Sequence, residues 1–98
     1  MSKDAFQDLE EIYPKIVKLM PNEFSSYKFI LALAQKYQKL YVQALYTYKD
    51  NNQPFQSVHK EIAKRLKKRI DLVKYLRSEP SDNIFGLKSK AAVWHKVK

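Results

Sequence analysis

The sequence predicts a mainly α domain, a compact bundle of four or five helices of helix-turn-helix type, with a short C-terminal β-hairpin permitted. Two observations carry this expectation. Apolar residues recur at helical spacing through most of the chain, whereas the C-terminal residues alternate. The chain has 98 residues, enough for one domain but not two. An apolar content of 45% with 13% aromatics supports a packed core rather than disorder.

The first element is the segment from Asp4 to Met20. Phe6, Leu9, Tyr13, Ile16, Val17 and Met20 share one face at about 100° per residue. Pro14 interrupts the helix by removing an amide donor and restricting Tyr13. Either the helix kinks there, or a short helix starts at Pro14 and residues 1–10 form a loosely attached arm. Asp4, Asp8, Glu10 and Glu11 crowd the N-terminal half, where the helix dipole favours them. Ser25 or Ser26 suits the N-cap of the next helix. Phe29, Ile30, Leu33, Tyr37, Leu40, Ala44 and Tyr48 form its stripe, as one long helix or two meeting near Tyr37–Lys39. Ordinary helix lengths favour two. Residues 40–48 are apolar almost all round, which suits a central helix or one covered by another chain.

Residues 50–53 read as a loop, and Pro54 suits the first turn of the helix that follows. There Phe55, Val58, Ile62, Leu66, Ile70, Val73 and Leu76 make an apolar stripe. Lys60, Lys64, Lys67, Lys68 and Lys74 lie opposite. Asp71 suits the cap of a separate last helix, while the alternation from Ile70 to Val73 suits a short strand. Residues 78–83 read as a turn cluster. Val93, His95 and Val97 alternate with Trp94 and Lys96, so a terminal hairpin would place Gly86 in its turn or in a bulge. The expected core is Leu9, Ile16, Phe29, Leu33, Leu40, Leu45, Phe55, Ile62, Leu66, Val73 and Trp94.

Charge is the main functional clue. Lys and Arg number 19 against 10 acids, a net charge of +9. Residues 1–50 carry 7 basic and 6 acidic side chains, whereas residues 51–98 carry 12 and 4. This asymmetry suits an acidic partner for the second half, nucleic acid being the commonest, although net charge also keeps a small protein in solution. The absence of cysteine excludes disulfide frameworks, thiolate zinc sites and cysteine nucleophiles. A single glycine excludes Gly-rich phosphate loops. No motif places a nucleophile, and His59 and His95 stand in unrelated contexts, so no enzyme, metal, cofactor or small-molecule substrate is expected. His59, at the edge of the stripe, reads as a partly buried core histidine, and His95 as exposed. Met1–Ser2–Lys3–Asp4 opens no signal peptide and no apolar run is long enough to span a bilayer, which suits a cytoplasmic protein without a membrane partner.

Helix, connection, basic helix and hairpin follow the order of a winged helix-turn-helix domain, by analogy alone. DNA binding through the helix at about 55–69 would then place Gln56, Ser57 and Lys60 at base edges. Lys64, Lys67, Lys68 and Lys74 would meet phosphates, and Lys88, Lys90 and Lys96 would form a basic wing. The connection is longer than the tight turn of that motif and lacks its glycine. The alternative is a protein-interaction or homodimerisation surface. Leu31, Val42 and Tyr46 lie off the main stripe, and aromatics favour interfaces. RNA binding by aromatic stacking is disfavoured, because no sheet platform is legible.

Ser81-x-Asn83-Ile84-Phe85-Gly86, Ser89 and Ala92-x-Trp94-x-Lys96 close the chain, and Pro54-Phe55-x-x-Val58-His59-x-x-Ile62 precedes them. Together these resemble a pattern in small uncharacterised bacterial proteins. The resemblance implies a self-contained bacterial domain and transfers no functional residue.

Overall fold

Helix α1 (Ala5–Leu19) exists because its apolar side chains repeat on one stripe. Phe6, Leu9, Ile12, Tyr13, Ile16 and Val17 are all buried. The computed structural model describes residues 5–97; Asp4, with the rest of residues 1–4, and Lys98 lie outside the described residues. Pro14 sits inside α1 without ending it. Its missing N–H leaves the Glu10 carbonyl without the usual donor four residues on. The Arg69 guanidinium reaches that carbonyl at 3.5 Å, while Asp71 grips the same guanidinium with both oxygens at 3.0 Å.

A short strand, β1 (Glu23–Ser25), leads into helix α2 (Ser26–Lys36). Ser25 caps α2, its hydroxyl accepting from the Lys28 amide at 3.1 Å. Helix α3 (Gln38–Thr47) follows after a break at Tyr37, so the long apolar run is two helices. Phe29, Ile30 and Leu33 of α2 enter the core. On α3 only Tyr41 and Ala44 are buried; Leu40 and Leu45 are half-buried. Helix α4 (Pro54–Lys67) starts at its proline and buries Val58, His59, Ile62 and Leu66.

The helical stripe stops there. Ile70 is exposed in a turn whose Leu72 and Val73 amides both donate to the Arg69 carbonyl. From Val73 the chain is extended as β2 (Val73–Asp82), and it returns as β3 (Lys88–Lys96). The three antiparallel strands lie in the order β1-β3-β2. Central β3 buries Ala91, Val93 and Trp94. The hairpin turn is residues 83–87. The Asn83 side chain accepts from the Phe85 and Leu87 amides, and Gly86 takes the left-handed conformation at φ 80°.

These strands overturn the mainly α, helix-turn-helix-type expectation. Among the described residues there are four helices and a three-stranded antiparallel sheet, an α/β domain. The all-α description therefore fails, and the winged helix-turn-helix analogy gains no support. Residues 78–82, read as a turn cluster, belong to β2, and only Asn83 turns. Phe55, expected in the core, is 42% exposed because it lies on the first turn of α4, beyond the buried stripe. Strand β2 is an outer strand, and so tolerates Pro80, which has no amide hydrogen. Leu76 is an extra residue between the register pairs Tyr75–Trp94 and Arg77–Val93, a bulge that changes which residues face each side. No helix among the described residues is long and apolar enough to cross a membrane.

Candidate functional site

A groove of about 1280 Å³ runs between α4 and the β2–β3 hairpin. Two elements make its walls. On α4, Lys60, Lys64 and Lys67 fall at i, i+4 and i+7, on the face opposite the buried Val58, Ile62 and Leu66. On the hairpin, Trp94, Ala92, Lys90 and Lys88 of β3 line it, together with Ser89 and Ala91 between them. The bulge at Leu76 keeps both Tyr75 and Ser78 on the groove, where the Tyr75 and Ser78 hydroxyls share a hydrogen bond of 3.0 Å.

The floor is pinned by one buried hydrogen bond and two exposed ones. The Trp94 indole N–H donates to the Ser26 hydroxyl at 2.9 Å, joining β3 to α2. The Tyr27 hydroxyl lies 2.7 Å from Ser89 Oγ and donates to the Lys90 carbonyl at 3.0 Å. At the end nearest the hairpin turn, Phe55 meets Phe85 edge-on with centroids 5.2 Å apart. His59 stacks between Tyr41 and Phe85. Phe55 and His59 of α4 thus meet Phe85 of the hairpin turn in space.

The lining carries five lysines, Lys60, Lys64, Lys67, Lys88 and Lys90, and no carboxylate. The three arginines of the chain have other work. Arg65 bridges Glu10 at 3.1 Å and Glu61 at 2.7 Å, Arg69 holds Asp71, and Arg77 holds Glu23 and Glu79. Among the described residues, none of the five groove lysines makes a salt bridge. Asp82 stands opposite Lys88 in the strand register without bridging it. The lysine charge faces a concave, partly apolar surface, where it attracts anions more strongly than on an open face.

The structure gathers Gln56, Lys60, Lys64, Lys67, Lys88 and Lys90 on the groove. Ser57 is half-buried and does not line it, and Lys68 is exposed just past the end of α4. Lys74 pairs in register with His95, on the opposite face from Tyr75. Lys96 points to α1, its ammonium donating to the Lys18 carbonyl at 3.3 Å. Leu31, Val42 and Tyr46 are exposed at 41%, 59% and 67%, away from the groove lining. Sequence reasoning missed Tyr27, Phe55, Tyr75 and Phe85 as groove residues. The one available signal was Phe85 itself, a large aromatic in a polar turn beside the single glycine.

His59 is buried, and its Nε2 shares a hydrogen bond of 2.6 Å with the Tyr41 hydroxyl. Burial lowers the His59 pKa below its usual 6.5. Burial also raises that of Tyr41, which stays protonated. The unfolded chain therefore binds the extra proton first as pH falls. The stability from neutral His59 is full above the unfolded value of about 6.5 and is lost as pH drops towards the lower folded value. Melting temperature is expected to hold steady above about pH 6.5 and to fall as pH drops below it, and His59→Phe is expected to flatten that dependence. Thermal melts across the range check this.

No family model, no curated protein and no solved structure matches this chain.

Proposed function

We propose that the chain is a non-enzymatic nucleic-acid-binding module that takes its ligand in the groove between α4 and the hairpin. The observation that carries this is the lining: five lysines, no carboxylate, and no salt bridge to any of the five among the described residues. Lys60, Lys64, Lys67, Lys88 and Lys90 hold phosphates from two sides, while Gln56 reaches a base edge. Assigning structural ion pairs to arginine leaves lysine, a mobile point charge, for a ligand backbone of variable geometry. Such a module suits the cytoplasm.

Fluorescence anisotropy with a labelled oligonucleotide over a salt series tests the reading. Affinity should fall steeply with salt, and Lys60→Gln/Lys64→Gln/Lys67→Gln should reduce the slope by about 2–3. Absence of binding at low salt, or a slope unchanged in the variant, overturns it. A second reading rests on Val42 and Tyr46, exposed one turn apart on α3. That face suits a protein partner or a second copy of the chain. Absence of oligonucleotide binding together with a concentration-dependent dimer would favour it.

A further inference from the structure

Resting on the nucleic-acid reading, we infer that the groove takes a single strand rather than a duplex, with bases stacked on Tyr75, Phe55 and Phe85. These rings are 50%, 42% and 54% exposed, and all three line the groove. Isolated exposed aromatics need no explanation, but here three meet the same lysine-lined concavity.

Their placement is ordered. Tyr75 lies at the start of β2, and Phe55 and Phe85 lie at the start of α4 and in the hairpin turn. Tyr75 packs edge-on against buried Trp94 at 5.7 Å and 73°, and Ser78 holds its hydroxyl. The ring is thus fixed before any ligand arrives, while half of its surface stays open. Phe55 and Phe85 brace each other edge-on at 86°. Pre-fixed rings lose little rotamer freedom on binding.

The lysines match the same ligand. Along the α4 axis Lys60, Lys64 and Lys67 rise by about 6 and 4.5 Å, roughly 10 Å in all. A stacked strand advances about 3.4 Å per nucleotide, so this row follows about three phosphates. Lys88 and Lys90 face them from β3. A single strand can lay its backbone along the lysines and turn its bases onto the rings. A duplex keeps its base faces stacked inside, and meets only the lysines at the groove's rim. The sheet behind Tyr75 and Trp94 is the platform that the sequence alone did not reveal.

The test compares a labelled oligothymidylate, long enough for a site of about 4–16 nucleotides, with the same strand annealed to its complement. The single strand should bind more tightly. Tyr75→Ala and Phe55→Ala should each weaken it by roughly five- to a hundredfold without changing the salt slope, because the phosphate contacts remain. Tyr75→Phe, which keeps the ring, should bind like the parent chain. Thermal melts of each variant establish that it is folded. Equal or tighter duplex binding overturns the inference and leaves the nucleic-acid reading standing, as does unchanged single-strand affinity in both alanine variants. Failure of both probes at low salt overturns the nucleic-acid reading itself. Oligoglutamate binding as tightly as the single strand also overturns the inference, because charge alone would then suffice.

Discussion

Phe29→Ala is expected to lower the unfolding free energy by about 3–5 kcal/mol. Phe29 has no solvent exposure. Its ring meets Tyr13 of α1 edge-on at 4.9 Å and 76°, and lies near parallel to Phe24 of β1 at 6.2 Å and 25°. One side chain of α2 therefore joins the first helix to the sheet. Truncation removes the transfer energy of the ring and both aromatic contacts, and it leaves a cavity between elements that cannot collapse independently. A domain of this size has about 5–15 kcal/mol in total, so the variant should lie near its unfolding transition at room temperature. Urea denaturation checks this, with a lower midpoint and an unchanged slope as the expected signature. Val42→Ala, on the exposed face of α3, supplies the control and should stay within about 0.5 kcal/mol of the parent.

Ser26→Ala should cost about 1–3 kcal/mol, more than the loss of one ordinary exposed serine. Ser26 is 5% exposed and Trp94 3%, and no buried side-chain polar atom among the described residues lacks a partner. Without the Ser26 hydroxyl, the indole N–H stays buried with nothing to receive it. Trp94→Phe removes the donor itself, though it also leaves space beside Tyr75. In the Trp94→Phe background Ser26→Ala should therefore cost much less. A double-mutant cycle measured by urea denaturation should give a coupling of at least about 1 kcal/mol. Additive effects would show that the bond contributes nothing beyond packing. The same cycle bears on ligand binding, because Trp94 is the ring against which Tyr75 is held.

Much of the helical layer was legible in the sequence. The α1 stripe, the Ser25 cap, the break near Tyr37, the Pro54 start and the Gly86 turn all follow from local chemistry that tertiary packing leaves intact. Strand β2 was not legible, for two physical reasons. Val73 and Leu76 fall where a continued helical stripe would put them, so two periodicities fit the same residues. Residues 78–82 are polar and include Pro80, which an outer strand tolerates and a turn also prefers. The groove was half legible for the same reasons. Lys60, Lys64 and Lys67 share a helix face that the spacing alone defines. Tyr75 and Phe85 reach the site only because the hairpin folds back over α4, a long-range placement that no local pattern contains. Phe55 was misplaced because its spacing fits the core stripe, although it lies one turn beyond the buried part of α4.

The outer strand has a consequence for the protein at high concentration. Ten residues of β2 present one side without a neighbouring strand, and such an edge is a template for molecule-to-molecule sheet growth. Here Pro80 interrupts the row of amide hydrogens, the extra residue Leu76 breaks its regular spacing, and Lys74, Arg77 and Glu79 place charges along it. The hairpin can therefore be long enough to wall the groove without seeding fibrils or edge-to-edge aggregates.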